Sequence, residues 1–291
     1  MSGPLPICHL NGGYPQLAEA RVSPLDRAFL FGDAVYEVIP VHGGRPFRLR
    51  EHLDRLNRSL AGIRMAAPRS HAEWGAMCSR LLAQDGARES YIYIQVTRGS
   101  EFGRNHAWPE GLSPTVFAYV TASGTAPAAL LDQGVAAVTA ADTRWARRDI
   151  KSTALLANVL LKKLAADAGA FETIMIENGD LTEGSSTSVH VISGGVIHAP
   201  PNGDHILPGT TRDVVWELAD RLKIPHSADR VPESRLRSAE EIWLSFATRG
   251  VLAVTSLDGR PVGSGRPGPM FKRMNAAFAA YLDELSSTPA L

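Results

Sequence analysis

Cysteine is scarce in this sequence. Only Cys8 and Cys78 occur among 291 residues, and they lie far apart in the chain. Without a CxxC spacing or a cluster of cysteine and histidine, the sequence indicates neither a disulfide framework nor a zinc site. An excess of one charge is also missing, because 30 basic and 30 acidic side chains give a formal net charge of zero. This balance argues against a surface for nucleic acid or anionic membrane, which would need a basic excess.

Long apolar runs are missing too. No stretch of about 18 apolar residues occurs, so no membrane span is expected. The first residues, MSGPLPICHL, lack the basic and apolar segments of a secretion signal. With 44% apolar residues, the chain can nevertheless bury a packed core. We therefore expect a soluble, cytoplasmic, globular protein.

The first part of the chain combines strand patterns with amphipathic helices. Residues 35–41 are typical of a strand, which ends at the Gly43-Gly44 turn. Leucines at helical spacing predict a helix over residues 51–63. Further elements predicted here are a helix over residues 72–82 and strands that begin at Tyr91 and Pro114.

The second part contains a strong helical pattern from Ser152 to Ala168. Its apolar side chains fall on one face: Leu155, Leu156, Val159, Leu160 and Leu164. Two more helices are predicted, from Thr211 to Leu222 and from Phe271 to Leu285. The strands predicted in this part begin near Val135, Phe171, Val189, Val196, Glu241 and Gly250.

The order of these elements indicates the fold class. Strands and helices do not alternate as regular βαβ units, so we expect two α+β domains rather than a doubly wound sheet. Residues 121–128 are small and include Gly and Pro, which favours an interdomain linker. We therefore predict a small N-terminal α+β domain over residues 1–120 and a larger C-terminal α+β domain over residues 129–291.

Lys151, in the motif RRDIKS, is the first candidate for chemistry. It lies where an extended run meets the predicted helix from Ser152. A lysine that is held near other basic groups and removed from water favours the neutral amine, which is the form that reacts with aldehydes. A solvated lysine at a helix start is the commoner use of such a position, so this motif alone does not decide.

Two later motifs suit a charged ligand. LTEGSSTSV places Glu183 in a predicted turn, where its carboxylate could pair with a cationic nitrogen or serve only the turn. LPGTTRDVV begins at Leu207 and puts Thr210 and Thr211 at a helix start. The free N–H groups of a helix start attract phosphate, although an ordinary cap uses the same residues.

Arginines supply further candidates. Arg55, in EHLDR, is a candidate phosphate partner because guanidinium forks fit phosphate oxygens, and a weak surface ion pair is the alternative. RGSEFGRNHAWPEG is a long polar loop that contains Arg104 and His106. Such a loop could close over a carboxylate substrate, or it could be a solvated connection.

The order of these residues is more informative than any one of them. An arginine is followed by a lysine, by a glutamate about thirty residues later and by a phosphate-type helix cap. A pyridoxal-phosphate site needs a lysine for the aldehyde, an acid for the pyridine nitrogen and donors for the phosphate. The sequence therefore favours such a site.

Six motifs in this order resemble the class IV aminotransferases, which are pyridoxal-phosphate enzymes of fold type IV. They are DRAFLFGDAVYEV, EHLDRL, YIYIQVTRG, RWARRDIKS, TEGSSTSV and GTTRDVV. Within the class the sequence is most similar to D-amino-acid aminotransferases. Matching segments run from about Asn11 to Gly259, so the resemblance covers nearly the whole chain.

The resemblance assigns cofactor roles position by position. Lys151 matches the catalytic lysine that binds pyridoxal 5'-phosphate, and Glu183 matches the acid that faces the pyridine nitrogen. Leu207 matches the leucine that packs against the ring. The positions that match phosphate donors are Arg55, Thr210 and Thr211, and Thr248 is expected to keep one further phosphate contact.

The resemblance also implies how substrate binds. Tyr36, Arg104 and His106 match the residues that bind the substrate α-carboxylate. In the family, the arginine and the histidine come on a loop from the neighbouring subunit, so a homodimer is implied. The implied reaction is transamination between a D-amino acid, such as D-alanine or D-glutamate, and a 2-oxo acid, either pyruvate or 2-oxoglutarate. No metal, nucleic acid or membrane is implied.

The sequence departs from the family at one place and leaves alternatives open. Where the family usually has a Thr/Ser-rich stretch ending in Glu, this chain has SFATRGVLAV, and Arg249 has no assignable counterpart. The first alternative is a branched-chain L-amino-acid aminotransferase, which would be expected to lack the GRNH pair. Aminodeoxychorismate lyase and (R)-amine transaminase follow. From a different class, a non-catalytic protein that stores the cofactor would fit the same fold.

Overall fold

The computed structural model describes residues 3–83, 88–123 and 128–287. They form two compact units. The first unit comprises Met1–Thr125 and Ile150–Leu155, and the second comprises Ala126–Asp149 and Leu156–Leu291. The segment that carries Lys151 therefore groups with the first unit, whereas the sequence analysis placed this lysine in the C-terminal domain.

The first unit is built on five strands: β1 (Pro4–Leu10), β2 (Ala34–His42), β3 (Arg45–Pro46), β4 (Ser90–Thr97) and β5 (Thr115–Ala122). They form an antiparallel sheet in the order β1-β5-β4-β2-β3. Side chains alternate between its two faces. One face is buried in the core of this unit, where Val35, Ile39, Ile92 and Ile94 lie.

The described residues of the first unit form three α-helices: α1 (Arg27–Phe31), α2 (Leu49–Gly62) and α3 (His71–Ala83). A short 3-10 helix spans Leu17–Glu19. The helical spacing of α2 buries Leu53, Leu56 and Leu60 in the core of the unit. The helices predicted over residues 51–63 and 72–82 are thus confirmed, because their apolar side chains face that core.

In the second unit the described residues form nine strands: β6 (Val135–Ala141), β7 (Glu172–Glu177), β8 (Asp180–Gly184), β9 (Ser188–Ser193), β10 (Val196–Ala199), β11 (His226–Ala228), β12 (Glu241–Phe246), β13 (Gly250–Leu257) and β14 (Arg260–Pro261). The sheet order is β11-β10-β9-β12-β13-β6-β7-β8, and β14 pairs with β13. Pairing is parallel between β10 and β11, β6 and β13, and β6 and β7, and antiparallel elsewhere. Its helices are α4 (Ala128–Gln133), α5 (Leu156–Asp167), α6 (Thr210–Arg221), α7 (Glu233–Arg237) and α8 (Pro269–Ser287).

The residues just before α5 run beside β2 and are not helical. The N–H of Tyr36 donates to the Lys151 carbonyl at 3.0 Å, and the N–H of Thr153 donates to the Ala34 carbonyl at 3.0 Å. Backbone groups bonded to a strand cannot also join a helix. The helix therefore begins at Leu156, later than the sequence predicted, and the predicted position of Lys151 at a helix start is wrong.

Glu183 lies in β8 rather than in the predicted turn. The turn comes earlier, at Asn178-Gly179, where both residues have positive φ (52° and 81°). Two such residues are what a tight β-hairpin requires. Because β8 pairs with β7, with Ile176 opposite Leu181, the direction of the Glu183 side chain is fixed by the sheet.

The mixed α+β class predicted from the sequence is confirmed. In the predicted linker, residues 121 and 122 end β5, and residues 124–127 lie outside the described residues. Within the described part of the chain, no helix combines the length and apolar character that crossing a membrane demands.

Candidate active site

The amine of Lys151 lies beside Tyr36 in the first unit. Its Nζ atom is 3.4 Å from the Tyr36 hydroxyl oxygen and 4.4 Å from the centroid of the ring. The backbone N–H of Lys151 donates to the Ser59 hydroxyl oxygen at 3.1 Å, which ties the extended segment to α2. Among the described residues no carboxylate pairs with this amine. The amine is therefore not engaged in an ion pair with a carboxylate of the described chain.

Tyr36 stacks on Tyr93 of the neighbouring strand. The ring centroids are 5.7 Å apart, and the ring planes differ by 26°. The Tyr93 hydroxyl donates to Gln95 Oε1 at 2.8 Å. Burial, with a smaller effect from Tyr36, raises the pKa of Tyr93, so this phenol stays protonated at neutral pH. The stacked pair limits the orientations that the Tyr36 ring can take.

Glu37, the next residue, lies on the opposite face of the sheet within a buried ion pair. Arg55 Nε lies 2.6 Å from Glu37 Oε1, and Arg55 Nη2 lies 2.8 Å from Oε2. Burial alone would raise the pKa of Glu37, but Arg55 and His52 hold it well below its usual range. Burial lowers the pKa of His52 despite Glu37, so the neutral imidazole donates from Nδ1 to Oε2 at 2.8 Å. Two nitrogen atoms of Arg55, which was predicted to bind phosphate, are thus hydrogen-bonded to Glu37.

Glu183 and Leu207 are brought together in the second unit. The backbone N–H of Leu207 lies 3.2 Å from each carboxylate oxygen of Glu183. Arg144 Nη1 donates to Glu183 Oε1 at 2.6 Å. Burial raises the pKa of Glu183, although Arg144 and the Leu207 N–H oppose this. A buried acid held by two donors can stabilise a cationic nitrogen.

Arg144 was missed by the sequence analysis, although it lies in RWARRDIKS. Its Nε and Nη2 atoms donate to the two oxygens of Asp142 at 3.0 and 2.7 Å, which leaves Nη1 for Glu183. Asp142 also accepts from the Thr182 hydroxyl at 2.7 Å. Burial acts against ionisation of Asp142, but Arg144 holds its pKa below the usual range. The available signal in the sequence was the pair of opposite charges at Asp142 and Arg144, at the start of the RWARRDIKS motif.

Thr210 and Thr211 are buried in the first turn of α6. The N-cap residue is Gly209, which has no side chain to bond the first N–H groups. A Cβ atom at Gly209 would lie 2.7 Å from Ser188 Oγ, so a larger residue would require the Ser188 hydroxyl to move. The first-turn N–H groups and the dipole of α6 therefore favour an anion here.

Arg104 and His106 lie on the exposed loop after β4. Both side chains approach Phe31, with the Arg104 guanidinium carbon 4.9 Å and the His106 ring centroid 5.3 Å from the ring centroid. The structure brings this predicted pair together on one ring. In the described part of the chain, no contact joins either side chain to Tyr36.

Thr248 and Arg249 lie exposed in the turn between β12 and β13. Neither side chain makes a hydrogen bond or ion pair with the residues that the structure describes. A phosphate contact from Thr248 stays a prediction.

The described residues fit the cofactor that the resemblance implies. Pyridoxal 5'-phosphate needs an amine for its aldehyde, an acid for its ring nitrogen and donors for its phosphate. The first unit offers Lys151, and the second unit offers the buried Glu183 and the helix start after Gly209. In addition, the Thr187 hydroxyl oxygen is buried and lacks a hydrogen-bond partner within the described ranges, a polar position that the chain itself leaves unsatisfied.

Comparison with protein families gives one match over most of the chain. Residues 34–257 match the family model described as amino-transferase class IV. This span includes Tyr36, Lys151, Glu183 and the start of α6.

Curated relatives match over nearly the full length. The D-alanine aminotransferase of Bacillus licheniformis is 39% identical over 279 residues, which are 96% of this chain and 98% of that protein. The D-alanine aminotransferase of Staphylococcus aureus (strain MSSA476) is 37% identical over 278 residues, which are 95% of this chain and 98% of that protein.

Solved structures share the fold. The branched-chain amino acid aminotransferase of Escherichia coli has a TM-score of 0.88 at 28% identity, with 95% of this chain and 94% of that chain covered. The branched-chain amino acid aminotransferase of T.th., solved with pyridoxamine 5'-phosphate, has a TM-score of 0.87 at 26% identity, with 95% and 93% covered. The family model spans more than half of the sequence and the relatives span almost all of it, and this chain therefore belongs to the class IV aminotransferase family.

Proposed function

We propose that this protein transfers amino groups between a D-amino acid, such as D-alanine or D-glutamate, and a 2-oxo acid, such as pyruvate or 2-oxoglutarate. The observation that carries the proposal is the similarity to D-alanine aminotransferases, at 37–39% identity over nearly the full length. The branched-chain enzymes share the fold at a lower identity of 26–28%.

The cofactor of this class is pyridoxal 5'-phosphate, which supplies, when bound, an aldehyde for the substrate amine and a ring that stabilises negative charge. In this proposal Lys151 holds the aldehyde carbon, and Glu183 and Leu207 lie against the ring. The residues proposed to bind the phosphate are Arg55, Thr210, Thr211 and Thr248.

Lys151 is the proposed general base. Its Nζ atom takes the proton from the substrate Cα and would release it at the carbon that bears the amino group after transfer, which is the role of a positioned amine with no carboxylate partner. The Tyr36 hydroxyl, 3.4 Å away, orients that amine. Glu183, held by Arg144 at 2.6 Å, keeps a proton at the ring nitrogen, because a buried anion stabilises a neighbouring cation strongly.

Tyr36, Arg104 and His106 are the proposed binding residues for the substrate α-carboxylate. A guanidinium binds carboxylates through two parallel hydrogen bonds, which fixes orientation as well as affinity. A carboxylate held on one side of the reacting carbon decides which hydrogen the base meets. Recognition of the D-configuration is therefore assigned to these three residues.

We propose that two copies of the chain associate, as the resemblance implies, and that α5 forms part of their interface. Its apolar face is exposed in the single chain: Leu156 by 73%, Val159 by 59%, Leu160 by 62% and Leu164 by 45%. An apolar patch of this kind is typical of an interaction surface. We also propose a cytoplasmic location, since the two cysteines are free and buried, as is usual in a reducing compartment.

A panel of D- and L-amino acids tests the reaction. The purified protein, loaded with pyridoxal phosphate, is given D-alanine or L-leucine with 2-oxoglutarate, and the released keto acids are measured. Turnover of D-alanine without turnover of L-leucine supports the proposal. Turnover of L-leucine alone would instead assign a branched-chain L-aminotransferase, which is the activity named for the solved neighbours. A coloured protein without turnover of any substrate would favour a cofactor-storage role.

A further inference from the structure

Phe31, the last residue of α1, is a shared contact for two side chains of the long polar loop. The Arg104 guanidinium carbon lies 4.9 Å from the centroid of its ring. The His106 ring centroid lies 5.3 Å from the same centroid, with the planes inclined by 46°. A cation within about 6 Å of a ring centroid is attracted by the ring quadrupole. One aromatic side chain thus contacts both members of the GRNH pair.

Arg27, the first residue of α1, holds the backbone of the same loop. Its Nη1 atom donates to the Asn105 carbonyl at 2.7 Å, and its Nη2 atom donates to the His106 carbonyl at 3.0 Å. Its Nε atom donates to Asp33 at 2.9 Å. Arg27 is almost fully buried, and its guanidinium carbon lies 4.7 Å from the Phe31 centroid. The loop backbone and its side chains are therefore both fixed to α1.

Phe29 lies on the same helix as Phe31 but does not contact Arg104 or His106. Its side chain is 78% exposed, and no ring or cation contact joins it to the described residues. Arg104 and His106 are themselves exposed. Long exposed side chains lose rotamer entropy when they bind a ligand, and a ring that already orders them reduces that loss.

We propose that Phe31 is a positioning residue for the substrate carboxylate: its ring holds the side chains of Arg104 and His106 in the arrangement that binds a carboxylate. This inference rests on the proposed function, because it takes the carboxylate of an amino acid as the ligand. The inference also means that α1 contributes to substrate affinity through Phe31, without contacting the substrate itself.

The test compares Phe31→Leu with Phe29→Leu in the holoenzyme. Phe31→Leu keeps an apolar side chain but removes the ring, so KM for D-alanine rises about two- to fivefold, the equivalent of about 0.5–1 kcal/mol for an exposed cation–π contact. The value of kcat and the visible spectrum of the cofactor stay within the range of the wild type. Phe29→Leu leaves KM unchanged, and Phe31→Tyr, which keeps the ring, restores it.

Two further measurements separate positioning from a general structural effect. Hydrogen exchange of the substrate-free holoenzyme should quicken at residues 104–107 in Phe31→Leu and not in Phe29→Leu. In an Arg104→Ala background, Phe31→Leu should raise KM by less than it does alone, because the partner is gone. If Phe31→Leu does not fold, Phe31→Met serves, since methionine also lacks the aromatic ring.

The outcomes distinguish the inference from the function on which it rests. If the wild type does not turn over D-alanine, the proposed function fails. If the wild type is active but Phe31→Leu shows the KM and exchange of Phe29→Leu, the proposed function stands and the role of Phe31 is rejected.

Discussion

Glu37 on β2 and Arg55 on α2 form a two-point ion pair in which both side chains are almost completely buried. The distances are 2.6 Å from Nε to Oε1 and 2.8 Å from Nη2 to Oε2. Burying each charge alone would be costly, and the pairing offsets that cost. The pair fixes α2 against the strand that carries Tyr36.

Glu37→Gln should reduce the free energy of unfolding by about 3–5 kcal/mol at pH 7, because it leaves the Arg55 charge buried without its counter-ion. Urea unfolding measures this. Glu51→Gln is the matched control on α2, since that exposed carboxylate pairs with Arg48 at 3.4 Å and should cost less than about 1 kcal/mol.

The pH dependence of this difference has a definite sign. The folded-state pKa of Glu37 lies below its ordinary value of 4.5. The stabilisation that ionised Glu37 gives the folded protein is therefore fully present above pH 4.5. It is lost as the pH falls toward the pKa that Glu37 has in the folded protein. The difference in free energy of unfolding between wild type and Glu37→Gln should be smaller at pH 3.5 than at pH 7. A difference that does not change with pH would contradict the lowered pKa of Glu37.

Arg144→Lys should weaken the hold on Glu183. One ammonium nitrogen cannot span both Asp142 and Glu183, as the guanidinium does at 2.7 and 2.6 Å. Because Arg144 opposes the raised pKa of Glu183, its loss should raise that pKa further. The acid limb of kcat/KM for D-alanine should consequently move to higher pH.

The pH–rate profile of the loaded enzyme measures the effect of Arg144→Lys. Arg147→Lys in the same motif is the control, because Arg147 forms an exposed pair with Asp149. The proposed role of Arg144 would be untenable if both variants gave the wild-type profile.

Lys151→Ala should abolish the visible absorption band of the bound cofactor and lower turnover of D-alanine by at least about a thousandfold, since it removes both the covalent attachment and the base. Lys272→Ala is the control, because this exposed lysine of α8 has no side-chain partner in the described part of the chain. Retained turnover with bound cofactor in Lys151→Ala would reject the assignment.

Leu160→Glu should shift the protein toward the monomer, because a charge at the centre of the α5 face cannot be buried in a contact between copies without a large cost. Sedimentation velocity over a concentration series measures this shift. Lys272→Glu, at an exposed position on α8 outside the α5 face, should leave the assembly unchanged. Equal sedimentation of Leu160→Glu and wild type would count against this interface.

The periodic elements could be predicted from the sequence, and the segment at Lys151 could not. Helix α2 followed from leucine spacing because the apolar face of a helix decides its place on a core. The start of α5 did not, because the Lys151 carbonyl bonds the N–H of Tyr36 on a strand more than a hundred residues earlier. Long-range backbone pairing of this kind leaves no local pattern.

The candidate site was predicted in part. Glu183 and Leu207 were named from motifs, and the structure joins them by a direct hydrogen bond. Arg144 and Phe31 were not named, because their roles arise from side chains that meet only after folding. The Asn178-Gly179 pair was a local signal for the β7–β8 hairpin and would have placed Glu183 on a strand.

The grouping of Ile150–Leu155 with the first unit has a consequence for how the protein is made. The N–H of Tyr36 and the carbonyl of Ala34 find their backbone partners at residues 151 and 153. During translation, the N–H of Tyr36 and the carbonyl of Ala34 lack these backbone partners until the ribosome has released the chain past residue 155. A fragment truncated after β5 would lack this segment, so a continuous fragment that contains the whole first unit must extend to residue 155 and also includes residues 126–149 of the second unit.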